Sequence, residues 1–352
     1  MQLRFWCDFS FAPQAKSIIS KFDQRVRVDR IVAGKLRRYH HLTLMQQLLW
    51  PSLVLKNFGD GFLVAAGIVQ SIIKLIVWRP DVVFTKGGYV CLPVGFAAHL
   101  LRIPLVIHDS DAHPGLTNRI LSRWATTIAT GAPLEYYHYD ATRSHYVGIP
   151  VDDSLRPISH GKQQMAKKQW GIDTNYPLIV VTGGGLGAKR INDAVAGALP
   201  ELLRLGSVVL VAGKGQYDAL SGVVPTNSDR FQLHAFVTEM PSLLSAADIV
   251  IARAGATTIL ELSALEKPTI LIPNGKLTGG HQLKNAAVYQ EKEAIIVVDE
   301  DQMEQDPKVL LDAIEELLRN PKKAHKMAKA FHEFSRPDAA HDMANLILKA
   351  RR

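Results

Sequence analysis

Ala252-Arg-Ala-Gly-Ala-Thr-Thr-Ile-Leu-Glu261 follows an apolar run over 248–251 and reads as a strand, a turn of small residues and a helix with Glu261 in its second turn. Small residues at a strand-to-helix turn let a ligand approach the backbone, and a helix N-terminus offers free N–H groups to an anion. A carboxylate at Glu261 suits paired sugar hydroxyls rather than phosphate. A second turn follows the apolar run 268–273 and ends in Gly279-Gly-His-Gln-Leu-Lys-Asn285. Adjacent strand ends facing one crevice are where open α/β sheets bind ligands. The plainer reading of either turn is an ordinary βα connection.

Outward from this stretch the alternation continues. In the second half, 178–182, 208–212, 231–236, 269–272 and 294–298 read as further strands, with helices over 190–205, 242–247, 258–266 and 282–293. In the first half, strands are expected over 27–32, 81–85, 104–108, 126–130 and 145–147, with helices over 94–101 and 116–125. Such alternation means parallel sheets covered by helices, and 352 residues suit two domains. The polar, proline-bracketed run Ile149-Pro-Val-Asp-Asp-Ser-Leu-Arg-Pro157 is the expected linker. The final helices are expected over 321–334 and 338–349, divided at Arg336-Pro337.

A hydrophobic fraction of 47% describes a globular chain, and a net charge of +8 favours an acidic partner. No zinc spacing, aromatic-basic signature or long basic run selects nucleic acid. Cys7 and Cys91 are expected to be unpaired thiols in a reducing compartment. No signal peptide precedes the strand-like Leu3–Cys7. The one membrane candidate lies between Leu42 and Trp78. Within it, Gln70, Ser71 and Lys74 interrupt the apolar run from Phe62 to Trp78, which argues against a spanning helix. Either this segment is a buried helix, or it forms an interfacial patch drawn to anionic lipid by Lys35, Arg37, Arg38, His40 and His41.

Gly183-Gly-Gly-Leu-Gly-Ala188 follows a strand and opens a helix whose first turn holds Lys189 and Arg190, a place for a diphosphate. A nicotinamide site would want an acid about 20 residues on, but the next strand ends Val211-Ala-Gly-Lys-Gly215. The spacing of a phosphate-loop NTPase is also missing. Thr85-Lys-Gly-Gly-Tyr-Val90 is a second strand–glycine–helix turn. Ile107-His-Asp-Ser-Asp-Ala-His-Pro-Gly-Leu-Thr-Asn118 is dense in titratable groups, with His108, Asp109, Asp111 and His113 as candidate general bases. For each alone, helix capping or backbone bonding is the simpler role. No third ligand is placed to make a metal site of the two histidines.

With these motifs in order, the chain resembles the MurG family, bacterial transferases that convert lipid I to lipid II with N-acetylglucosamine from its UDP donor. The matching residues are Gly87-Gly-Tyr-Val90, Ile103-Pro-Leu-Val-Ile-His108, Pro114-Gly-Leu-Thr-Asn118, Gly183–Ala188, Ala254–Glu261, His281-Gln282 with Asn285-Ala286, and Pro337-Asp-Ala-Ala340. The resemblance implies a GT-B fold: two doubly wound Rossmann-like domains facing a cleft. Residues 1–149 with 337–352 would form the acceptor and membrane-facing domain, and 150–336 the UDP-sugar domain. By position, the Val237 backbone would lie near uracil and Glu261 would bind the ribose. Gly185, Ala256 and Thr257 would hold the diphosphate and Gln282 the donor sugar. Gly87, Gly88, Tyr89 and Asn118 would hold the acceptor. No cofactor and no active-site metal are expected, UDP-N-acetylglucosamine being substrate. The other partners implied are an undecaprenyl-linked acceptor and inner-leaflet lipids at the cytoplasmic face of the membrane.

The departures are specific. The family opens with a strand and a Gly-Gly-Thr-Gly-Gly-His loop carrying a candidate base. This chain starts at what corresponds to the second strand, which implies a start codon placed too late or a protein lacking that part. Asp109-Ser-Asp111 stands for the family's Glu-Gln-Asn, Asp152 for an arginine, and Gly185 for a serine. Asp111 is then the candidate base. Alternatives are transfer to another glycolipid, a UDP-sugar epimerase, or a nucleotide-sugar-binding protein with an incomplete catalytic site.

Overall fold

The computed structural model describes residues 2–35, 45, 49–185, 187–276 and 280–351. It divides into two compact units, Met1–Val147 with His341–Arg352, and Gly148–Ala340.

The second unit is built on a seven-stranded sheet. Its strands are β7 (Leu178–Thr182), β8 (Ser207–Val211), β9 (Asn227–Ser228), β10 (Phe231–His234), β11 (Ile249–Ala252), β12 (Thr269–Leu271) and β13 (Ile296–Val297). Their order is β13-β12-β11-β7-β8-β10-β9, all parallel except the edge strand β9. β7 and β11 are continuously buried runs, of Leu, Ile, Val and Ala apart from Thr182 at the end of β7, as a strand covered on both faces requires. From β7 the chain winds one way through β8 and β10. It then returns to β11 and winds the other way through β12 and β13. The direction of winding therefore reverses between β7 and β11, where Thr182 and Ala252 are register partners. One sheet face packs Ile179, Val181, Ile251 and Ile270 against Ile191, Val195, Leu202, Ile314 and Met327. The helix expected over 190–205 is two, Lys189–Gly197 and Leu199–Leu205, because Pro200 has no N–H to continue the first ladder and instead starts the second.

The first unit carries two parallel sheets. β1 (Arg4–Cys7) pairs with β2 (Arg27–Arg30), and β3 (Val83–Thr85), β4 (Leu105–Asp109), β5 (Thr127–Thr130) and β6 (Ser144–Tyr146) follow in order. Among the described residues no backbone hydrogen bond joins β1 to β3.

The segment read as interrupted at Gln70, Ser71 and Lys74 is one continuous helix, Pro51–Trp78, 28 residues long. Its polarity is turned inside out, which explains the difference. The Gln70 side chain accepts from the backbone N–H of Val32 at 2.8 Å, Ser71 is fully buried and Lys74 reaches Asp29 at 3.6 Å. Gly67 rests against the Val32 carbonyl, where a Cβ would lie 2.1 Å from the oxygen. Gln70 and Lys74 thus fasten the helix to β2 and to the residues just after it, while Leu55, Phe58, Phe62, Val69, Ile73, Ile76 and Val77 face outward. By length and composition alone the helix is long enough to cross a membrane, although little of it is buried in the protein.

Candidate active site

In the second unit the C-terminal ends of β7 and β11 carry the two turns singled out from sequence. The Gly183–Ala188 turn is shaped by contact and conformation. Gly184 and Gly187 have φ of 79° and 76°. A Cβ on Gly187 would sit 2.0 Å from the Ala212 carbonyl oxygen, and one on Gly183 would sit 2.3 Å from the Ala188 nitrogen. Gly185, by contrast, faces open space. The turn leads into the helix Lys189–Gly197, which no side chain caps.

After β11 the helix Ala256–Ala264 also begins without a side-chain cap, on Gly255. The N–H groups of its first turn have no carbonyl within the helix, which is the condition for anion binding. Ala256 opens this helix and Thr257 is exposed beside it. Glu261 is half-buried one turn further on, and burial, then the charge of Asp152, raises its carboxyl above the ordinary range. After β12, Gln282 accepts the N–H of Asn274 at 2.9 Å through Oε1, and Asn285 donates to the Ala254 carbonyl at 3.2 Å. Gly279, part of the second turn read from sequence, lies outside the described residues. Val237 is buried after β10, while its neighbour Phe236 is exposed under the Lys214 ammonium at 5.1 Å.

A buried ion cluster beneath these turns has no counterpart in the sequence reading. Arg253, the residue after β11, pairs with Glu300 and donates to the Ile272 carbonyl at 3.1 Å. Arg190, in the first turn after the glycine loop, reaches the same Glu300 at 3.1 Å and Asp301 at 2.6 Å. One carboxylate therefore ties the flanks of both turns together. Nothing local signals it, because the partners stand 47 and 110 residues from Glu300.

In the first unit Gly87 and Gly88 follow β3 with φ of 81° and 83°. A Cβ on Gly87 would lie 3.0 Å from the Asn118 amide nitrogen, so the two expected acceptor residues are in contact. Asn118 donates to the His108 carbonyl at 3.0 Å, while its buried Oδ1 has no hydrogen-bond partner. The Tyr89 hydroxyl donates to Asp8 at 2.8 Å, and Lys35 lies 5.1 Å from the Tyr89 ring centroid. Asp8 also accepts from the Ser10 hydroxyl and the N–H groups of Ser10 and Phe11, which hold it down to about 2. Sequence reasoning passed over Asp8, although an acid two residues before a serine is an ordinary turn signal. Arg37, Arg38, His40 and His41 lie outside the described residues.

Of the candidate bases, His108 is fully buried with Nδ1 3.2 Å from the Ser110 hydroxyl. Asp109 is buried at the end of β4, where it accepts the Tyr139 hydroxyl at 2.8 Å, and burial pushes it up to about 6. Asp111 and His113 stand half-buried on the loop that follows, and the Asp111 carbonyl accepts the Tyr137 hydroxyl at 2.7 Å. Among the described residues no three His, Cys, Asp or Glu side chains are grouped to hold a metal.

Residues 20–130 match the glycosyltransferase family 28 N-terminal domain, and residues 178–343 match the C-terminal domain of that family. A curated relative from Clostridium kluyveri is 34% identical over 328 residues, covering 93% of this chain and 86% of the relative. It is named UDP-N-acetylglucosamine--N-acetylmuramyl-(pentapeptide) pyrophosphoryl-undecaprenol N-acetylglucosamine transferase. The chain belongs to glycosyltransferase family 28, among the MurG transferases. Another MurG relative, from Geobacillus thermodenitrificans, is 37% identical over 78% of this chain and 72% of its own length. The crystal structure of Acinetobacter baumannii MurG matches with a TM-score of 0.72 at 22% identity, covering 99% of both chains. A UDP-GlcNAc 2-epimerase from Neisseria meningitidis, solved with UDP-GlcNAc bound, matches with a TM-score of 0.61 at 14% identity over 99% of both. At these identities the structures speak to the fold, which is GT-B with two Rossmann-like domains.

Proposed function

We propose that this family 28 chain transfers N-acetylglucosamine from its UDP donor to lipid I, forming lipid II for peptidoglycan synthesis. The observation that carries the reading is the pair of uncapped helix N-termini, at Lys189 and Ala256, that follow the register partners Thr182 and Ala252 on the strand pair where the winding reverses. That is where an open α/β sheet receives a ligand, and two dipoles with free N–H groups suit a diphosphate. Glu261 takes the ribose hydroxyls, the Val237 backbone the uracil, Gly185, Ala256 and Thr257 the diphosphate, and Gln282 the sugar through its amide nitrogen. Gly87, Gly88, Tyr89 and Asn118 hold the acceptor, with Tyr89 presenting its ring because its hydroxyl is engaged by Asp8.

In the reaction the acceptor's muramyl hydroxyl attacks the anomeric carbon with inversion. Asp111 takes the hydroxyl proton, the bond from the anomeric carbon to the phosphate oxygen breaks, and UDP leaves with the electron pair. Backbone N–H groups of the two turns stabilise the charge that develops on the departing diphosphate. The outward apolar face of Pro51–Trp78, together with Lys35, Arg37 and Arg38, rests on anionic lipid at the cytoplasmic face of the membrane.

The test is transfer of labelled N-acetylglucosamine to lipid I by the purified chain, with Asp111→Asn and Glu261→Ala beside it. Transfer that Asp111→Asn abolishes and Glu261→Ala weakens through donor binding supports the assignment. Undiminished turnover by Asp111→Asn removes Asp111 as base. UDP-sugar binding without transfer by the unaltered chain overturns the transferase reading.

A further inference from the structure

The edge of the second unit's sheet opposite the two turns holds a cavity of about 720 Å³. It opens where β7, β11 and β12 begin, between Pro177, Asp248 and Lys267 on the strand side and Leu317, Leu318 and His325 on the helix side. Two lysines reach it from the interior. Lys167 is buried and fully engaged, 2.5 Å from Asp248 and donating to the Tyr176 carbonyl at 3.3 Å. Asp248 is engaged in turn, accepting the backbone N–H of Leu178 at 2.6 Å and the Gln163 amide at 3.0 Å.

Lys267 differs. The residue is more than nine-tenths buried and lines the cavity, and its carbonyl accepts the Thr269 hydroxyl at 2.9 Å, yet its side chain makes no hydrogen bond or ion pair among the described residues. An ammonium partly withdrawn from water gains from an anion placed beside it. Burial brings Lys267 down to about 8, with Asp248 acting upward and Lys167 downward. The walls beyond it, Ile158, Leu265, Leu317 and Leu318, are apolar.

We propose that this cavity is a second binding site, for a small organic anion whose carboxylate or phosphate head pairs with Lys267 and whose apolar body lies along Leu265, Leu317 and Leu318. Its position at the strand N-termini separates it from the turns at the strand C-termini, so its ligand does not compete with the nucleotide.

Calorimetric titration of the full chain with hexanoate and with acetate, both under saturating UDP, tests this. Hexanoate should bind at least tenfold more tightly than acetate, and Lys267→Met should lower hexanoate affinity at least tenfold while Lys267→Arg retains it. Should Lys267→Met not fold, Leu318→Glu on the partly exposed wall must cause the same loss. Equal binding by the unaltered chain and these two variants, equal affinity for the two acids, or no binding at all overturns the proposal.

Discussion

Glu261 and Asp109 are both carboxyls that burial makes reluctant to ionise, and the two predict opposite observables. In the proposed role Glu261 binds ribose hydroxyls as the anion, so donor affinity should fall as pH drops through its raised pKa. Glu261→Gln should raise the donor KM about 10- to 100-fold with a smaller change in kcat, the loss typical of a hydrogen bond to a charged group. Steady-state kinetics against UDP-sugar concentration decides this. Asp109 acts on stability. Its folded pKa of about 6 exceeds the ordinary 3.8, so the folded state holds the proton longer than the unfolded chain. The associated stability is complete below pH 4 and is lost as pH rises through 6, on the order of 3 kcal/mol if the whole shift is expressed. Asp109→Asn should keep the Tyr139 contact, flatten that decline and melt higher than the unaltered chain at pH 7.5; parallel melting curves across pH 4.5 to 7.5 would count against it. The strand, small-residue turn and helix leading to Glu261 were legible because all lie in the one local run 249–261. Glu300 was not, since its meaning depends on arginines brought together only by the fold.

The glycine turns and the long helix show what can and cannot be read at the level of elements. Gly185 and Gly187 look alike in sequence, but only Gly187 combines a left-handed φ with a carbonyl in the space of its missing side chain. Gly187→Ala should therefore cost about 2 kcal/mol or more, while Gly185→Ala should leave stability within about 0.5 kcal/mol, as urea titration would show. The helix Pro51–Trp78 resisted reading for a related reason. Gln70, Ser71 and Lys74 break the hydropathy of the run without breaking its backbone, because Gln70 and Lys74 have partners on the protein and Ser71 is small enough to be buried where the helix packs. Phe58 and Phe62 are 66% and 65% exposed and meet edge to face. Replacing both with Ser should reduce sedimentation with anionic vesicles at least tenfold and leave melting unchanged, since no buried contact is lost.

At the scale of the whole molecule the two units differ in how their sheets are closed. The second has seven strands in one ladder, and its fold class followed directly from the alternation of apolar runs and helical stretches. The first has a pair and a set of four. That division was not legible, because strand pairing is a property of neighbours in space that short runs such as Arg4–Cys7 do not declare. Native-state hydrogen exchange should separate them: amides of β1 and β2 should exchange at least tenfold faster than those of β7, β8 and β11, which lie inside a covered ladder.

The sides of β1 and β3 that lack a mutual ladder also bear on how the protein behaves in a crowded solution. An unsatisfied strand side is a template on which a neighbouring molecule can polymerise. Here β1 is four residues and β3 three, with Arg4 beginning one and Lys86 following the other. Segments so short offer an incoming strand too few bonds to repay its ordering. The brevity of these two strands thus limits how far a second chain could extend either ladder.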